Sequence, residues 1–128
     1  MLDTNIVCEL IRNPAGRAAQ CARAAGDAVC ISVIVAAELR YGCAKERSPQ
    51  LLRRVEDFLA EVPVQPFDVP ADGSYGVMRA GLEAIGRPIG SNDLLIAAHA
   101  QALGATVVTA NVGEFQRIPG LNVENWLA

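Results

Sequence analysis

The sequence predicts an α/β fold in which a parallel sheet is covered by helices on both faces. Two observations point there. Candidate strands alternate with helical segments along the chain, and several strands are continuously apolar rather than alternating. A strand buried on both faces reads as an unbroken apolar run, as expected for a parallel sheet between helical layers.

Taken in order, Met1-Leu2 reads as the end of a short first strand that stops at Asp3. Apolar residues at 6, 7, 10 and 11 predict a helix over 5–12. Asn13-Pro14 stops it and opens a second helix with Pro14 at its first position, ending at Gly26. Residues 28–31 form a short buried strand. Ser32 then caps a helix from Val33 to about Ala44. Ser48-Pro49 opens the next, which runs to Glu61 with apolar positions 51, 52, 55, 58 and 59. A short strand is expected near Val64, between prolines. Residues 71–85 are helical, and Gly86 ends that helix. Ser91 or Asn92 caps the most apolar helix, Asp93 to Leu103, and Gly104 closes it. Residues 105–109 form a buried strand, 111–115 a turn or short helix, and 121–124 a final edge strand. No repeat, low-complexity stretch or linker interrupts this order, so one domain over 1–128 is expected.

Composition narrows the function classes. At 128 residues and 52% hydrophobic, the chain can bury enough surface to offset its ordering entropy, which excludes disorder. No apolar stretch approaches the ~20 residues of a membrane span, and the start lacks the basic-then-apolar pattern of a secretory signal. A cytoplasmic protein with no membrane partner is expected. A net charge of −3 argues against a strong free-standing nucleic-acid binder, since phosphate neutralisation needs Lys and Arg. It leaves room for a nuclease whose metal ions bring the positive charge. Ten of the eleven basic residues are Arg, which suits phosphate contacts, although a coding bias explains the excess equally well. Cys8, Cys21, Cys30 and Cys43 lack zinc-ribbon spacing, and they are expected to be free thiols, mostly packed as small hydrophobes.

The carboxylates carry the functional signal. Sites in such folds form at the carboxyl ends of the strands. Asp3 follows the first strand, Thr109 and Asn111 follow the late one, and Asp93 opens a helix beside it. Each has a bland reading. Asp3 is a helix N-cap, Asp93 complements a helix dipole, and Glu38 sits on a polar face with Arg40. Yet Glu38 lies within the apolar run Val33-Ile34-Val35-Ala36-Ala37-Glu38-Leu39, and a Glu is rarely buried there without a partner. Three clustered acids need a neutraliser, and a hard divalent cation with oxygen ligands is the natural one.

These residues carry a resemblance. Leu2-Asp3-Thr4-Asn5, the run from Val35 to Gly42 containing Glu38-Leu39-Arg40-Tyr41, and Pro88 to Ala100 containing Ser91-Asn92-Asp93 resemble the PIN-domain ribonucleases. So does the C-terminal stretch Val108-Thr109-Ala110-Asn111-Val112-Gly113-Glu114-Phe115 through Pro119-Gly120-Leu121 to Glu124-Asn125-Trp126. The likeness is greatest to the VapC toxins of bacterial type II toxin–antitoxin pairs, and it covers essentially the whole chain in order and spacing.

The resemblance implies a three-layer α/β/α sandwich with a mainly parallel, four- or five-stranded sheet. It implies an Mg²⁺- or Mn²⁺-dependent endoribonuclease that cleaves RNA by metal-activated water. By position, Asp3, Glu38 and Asp93 are the metal-binding acids. Asn111 stands where many members carry a fourth acid, so Asn111 or Glu114 completes the set, while Glu114 also reads as a surface acid. Asn5, Ser91 and Thr109 are candidate supports for the carboxylates, with helix-start chemistry as the plainer reading of Asn5. Relatives have a longer first strand before Leu-Asp-Thr-Asn. His99, the single histidine, is expected to serve packing or support rather than act as a base.

The implied partners are an RNA substrate, a second copy in a homodimer, and a VapB-type antitoxin. The antitoxin's C-terminal segment would lie near the acids, with segments 33–44 and 49–62 as a clamp, or simply as core. Competing readings are a degenerate PIN-fold binding module without catalysis and an RNA-processing nuclease with no antitoxin. Phosphoryl-transfer domains with an Asp after strand one fit poorly, because the only lysine, Lys45, falls in a loop.

Overall fold

The structure is a computed structural model that describes residues 1–127. In chain order these form α1 (Thr4–Arg12), α2 (Arg17–Ala25), a 3-10 turn (Gly26–Ala28), β1 (Ile31–Ser32), α3 (Val33–Glu46) and α4 (Pro49–Glu61). They continue with β2 (Val64–Gln65), α5 (Ala71–Ala84), α6 (Ser91–Leu103), β3 (Val107–Val108), α7 (Val112–Phe115) and β4 (Val123–Glu124). The order of helices and strands agrees with the sequence expectation.

Two strand pairs are parallel. Ile31 lies opposite Val64, and Val107 opposite Val123. Met1 to Asp3 runs between the pairs and bonds to both. The Leu2 amide donates to the Cys30 carbonyl at 2.9 Å. On the other side the Val108 amide donates to the Met1 carbonyl at 2.9 Å, and the Asp3 amide to the Val108 carbonyl at 2.8 Å. From Leu2 the chain moves out to β1 and β2, then returns to the opposite side for β3 and β4. That reversal is a topological switch point, where a crevice opens beyond the carboxyl ends of the strands. Asp3 and Thr109 are the residues that emerge there.

The core explains the helix placement. Ile6, Val7, Ile31, Val35, Val107 and Phe115 are fully shielded from solvent. Burial of such side chains is worth roughly 1.5–3 kcal/mol each relative to exposure. α6 is the most buried helix. Ile96, Ala97, Ala98 and Ala100 have no exposed surface, and their small side chains let α5 pack closely along it. α3 buries Val35, Ala36, Leu39 and Cys43 on one face. Ser48 caps α4 by accepting the Leu51 amide at 3.2 Å, with Pro49 in the first turn as expected.

Several local expectations are corrected. Gly90, not Ser91 or Asn92, is the N-cap of α6, because the Leu94 amide already donates to the Gly90 carbonyl at 2.9 Å. Ser91 and Asn92 therefore lie inside the first turn. α2 begins at Arg17 rather than at Pro14, since Asn13, Pro14 and Gly16 form a turn closed by the Gly16 amide on the Asn13 carbonyl at 3.0 Å. α3 runs past Ala44 to Glu46. It closes on Arg47, a non-glycine residue held at φ 51° in the left-handed region. All four cysteines are free, but only Cys43 is buried and Cys8 is exposed. The face of α1 that holds Ile6 and Val7 leaves Cys8 outside the core.

Candidate active site

Asp3 is the most constrained acid. It is 4% exposed, and both carboxylate oxygens are occupied. Oδ1 accepts the Thr4 amide at 2.8 Å, capping α1. Oδ2 accepts the Thr109 hydroxyl at 2.8 Å and the Asn5 side-chain amide at 3.1 Å. Asn5 is fixed in turn, since its Oδ1 accepts the Ala110 amide at 3.0 Å. Three donors compensate the desolvation of this buried carboxylate. The capping role and the site role of Asp3 thus coexist.

Glu38 is half-buried, and its Oε1 accepts the Thr4 hydroxyl at 2.7 Å. Arg40 does not share the site. It turns outward to Glu56 at 2.8 Å. Thr4 therefore joins the first two acids, its backbone amide on Asp3 and its hydroxyl on Glu38. The sequence reading missed Thr4, because its helix-start position already accounted for it.

The third acid faces more open ground. Asp93 sits in the first turn of α6, where a carboxylate complements the helix dipole. Asn111 Nδ2 donates to Asp93 Oδ2 at 3.1 Å and to Glu114 Oε2 at 3.0 Å. The reverse orientation would set an amide oxygen against two carboxylates, so the charges select this one. The Asn111 backbone amide donates to the Thr109 hydroxyl at 2.9 Å, which links this corner to Asp3. Partial burial, the proton shared with Glu114 and the negative charge of Asp3 together push the Asp93 carboxyl up to about 7. Glu114 moves the opposite way, held below its ordinary range chiefly by its hydrogen bond to Asp93.

Of the expected site residues, the structure brings Asp3, Asn5, Glu38, Asp93, Thr109, Asn111 and Glu114 into one hydrogen-bonded and electrostatically linked cluster. Ser91 stays apart. It is exposed and lines a cleft with Tyr75, Arg79 and Glu83. His99 is buried on α6 away from the acids, with Nδ1 2.8 Å from the Ser32 hydroxyl.

The donor set suits a hard divalent cation, since every candidate ligand is an oxygen and the raised Asp93 value marks negative charge that is not neutralised. Among the described residues no three acidic, histidine or cysteine side chains already close round one point. Mg²⁺ is usually held by one or two carboxylates and its own waters, so an open arrangement fits it better than a closed cage.

Comparison with known proteins agrees with the geometry. The family model for the PIN domain matches residues 1–121. The chain is 44% identical over 104 residues to Ribonuclease VapC2 of Rickettsia felis, covering 80% of this chain and 78% of that protein. It is 37% identical over 127 residues to the tRNA(fMet)-specific endonuclease VapC of Shigella flexneri, covering 98% and 96%. Among solved structures, DNA-bound VapBC from Salmonella typhimurium superposes with a TM-score of 0.91 at 38% identity, covering 98% of this chain and 96% of that one.

Proposed function

The chain belongs to the PIN-domain family, and on that premise we propose that it is a VapC-type endoribonuclease toxin neutralised by a VapB-type antitoxin. The observation that carries the reading is the acid cluster at the switch point. Asp3 at the start of α1, Glu38 within α3 and Asp93 in the first turn of α6 are linked there through Thr4, Thr109 and Asn111, and Asp93 is pushed to about 7. The hydrogen bonds of Met1 to Asp3 to both strand pairs support reading them as one five-stranded parallel layer between helices, in the order β2, β1, Leu2, β3, β4.

Asp3, Glu38 and Asp93 are the residues that would hold Mg²⁺ or Mn²⁺. Such an ion supplies positive charge at the scissile phosphate and lowers the pKa of a water. The chain's own contribution is positional. Thr109 and Asn5 hold Asp3, Thr4 holds Glu38, and Asn111 holds Asp93 and Glu114. With Asn111 acting as a donor, Glu114 is the acid that completes the set.

The outer side of α3 and the start of α4 offer a place for the antitoxin. Their inner faces are core, while Arg40, Ala44 and Leu52 line a cleft of about 390 Å³ beside exposed Tyr41. A homodimer is part of the same reading, and sedimentation of the purified chain tests it. No helix among the described residues is long and apolar enough to cross a membrane.

The test is cleavage of bulk RNA and of purified tRNA(fMet) with Mg²⁺, with Mn²⁺ and with EDTA. The tRNA is included because the Shigella relative is named for it. Cutting that needs a divalent ion is expected. Absence of both cutting and metal binding would favour a binding module, and cutting undiminished by EDTA would remove the metal from the scheme.

A further inference from the structure

We infer that Ser32 and His99 form a buried latch in which the serine hydroxyl donates to Nδ1 of a neutral imidazole, making His99 a positioning residue that sets the helix of Glu38 against the helix of Asp93. The purpose assigned to the latch rests on the nuclease reading; its geometry does not.

The two side chains are 0% and 2% exposed and lie 2.8 Å apart, Nδ1 to Oγ. Proton bookkeeping then gives the tautomer. The Ile34 amide, which can only donate, already gives its proton to Ser32 Oγ at 3.1 Å. The hydroxyl has a single proton of its own. A proton on Nδ1 would leave that hydroxyl proton with no acceptor among the described residues, and an unmade buried hydrogen bond is costly. The ring proton therefore sits on Nε2. Pro66 and Asp68 both favour a proton on the ring, and Nε2 makes no hydrogen bond of good geometry. Phe67 packs edge-on against the ring, with centroids 5.4 Å apart at 75°, and fixes its plane. An apolar side chain would fill this space without an unpartnered nitrogen, so packing alone does not explain the residue.

The latch stands in a definite relation to the acids. Ser32 caps α3, and Glu38 lies six residues on (32 to 38). His99 lies six residues beyond Asp93 (93 to 99) on α6. At 1.5 Å per residue each offset is about 9 Å. The latch thus joins α3 and α6 at matched distances from the two acids they carry, and Thr4 fixes the free end of Glu38.

His99 is the only histidine, so its nitrogen signals in the labelled full chain are unambiguous. At pH 7 the spectrum should show a neutral ring protonated at Nε2. By calorimetry, Ser32→Ala and His99→Leu should each weaken Mn²⁺ binding by about 10-fold, the scale seen when partners that orient ligands are lost. The double variant should be no weaker than the worse single one. His99→Asn offers an acceptor near the Nδ1 position and should bind within about 2-fold of wild type. Ser48→Ala removes a helix cap away from the site and should leave Mn²⁺ affinity unchanged.

A ring protonated at Nδ1, or Ser32→Ala binding Mn²⁺ as wild type does, overturns the latch. If His99→Leu does not fold, Ser32→Ala and the wild-type spectrum decide. If wild type binds no Mn²⁺, the metal reading fails, and the latch is judged on the spectrum and on slow exchange of the Ile34 amide, which Ser32→Ala should speed.

Discussion

The two corners of the site solve the same problem in opposite ways. At Asp3, three donors converge on a buried carboxylate, and the charge is satisfied by the fold itself. At Asp93, one amide is divided between two acids, and the charge is left over. The difference teaches that burial does not identify the residue waiting for a cation. The deeper acid is the contented one, and the shallower acid carries the unmet electrostatic demand.

Conservative amides test that contrast most sharply. Asp93→Asn should reduce divalent-dependent RNA cleavage by roughly 100-fold or more, since it removes the charge proposed to meet the metal. Initial-rate cleavage assays check this, and near-wild-type rates would sink the assignment. The same variant should leave the metal-free protein more stable at pH 8 by about 1–2 kcal/mol, a figure reduced for solvent screening. Asp3→Asn should do the reverse and destabilise by about 2–3 kcal/mol, because its new NH₂ faces groups that themselves donate. Urea melts of the two variants side by side would decide between opposite and like signs.

The pH dependence follows from the same corner. An acid whose value is raised on folding contributes stability fully below its ordinary value, here 3.8, and loses it as pH rises through about 7. Metal-free protein should therefore become less stable between about pH 4 and 7. Glu114 shifts downward, so its own contribution is lost only in acid, below that window. Asp93→Asn should flatten the slope, and a slope unchanged in that variant would assign it to another group. A smaller effect is expected at Thr109, which donates to Asp3 and accepts from Asn111. Thr109→Val should cost about 1–3 kcal/mol by leaving those partners unmet. Smallest of all, Arg47→Gly should stabilise by about 0.5–1 kcal/mol, by relieving a left-handed conformation that glycine adopts freely. That residue lies outside both corners and should leave cleavage unchanged.

Much of this was legible in the residues. Alternating apolar runs and caps such as Ser32 and Ser48-Pro49 gave the element order, the strand ends singled out Asp3 and the Thr109–Asn111 turn, and a helix start singled out Asp93. What escaped were pairings set by tertiary approach. Thr4 was not singled out because its hydroxyl partner, Glu38, lies 34 residues away. Ser32 and His99 each had a sufficient local explanation, a cap and a packed ring, and only the fold brings them together across 67 residues. Ser91 failed for the opposite reason. Its closeness to Asp93 in sequence suggested support, but a helical turn sends neighbouring side chains to different faces.

The central placement of Leu2 also governs the order in which the molecule can be born. Residues 1–3 lie in the middle of the strand array, and the Asp3 carboxylate waits for a hydroxyl 106 positions later. Contacts of such long sequence separation form late and slowly. A nascent chain shorter than residue 109 has no Thr109 hydroxyl for Asp3, no Asn111 for Asp93 and no Glu114. For the nuclease proposed here, that ties assembly of the acid cluster to synthesis of the segment from residue 109 to residue 114.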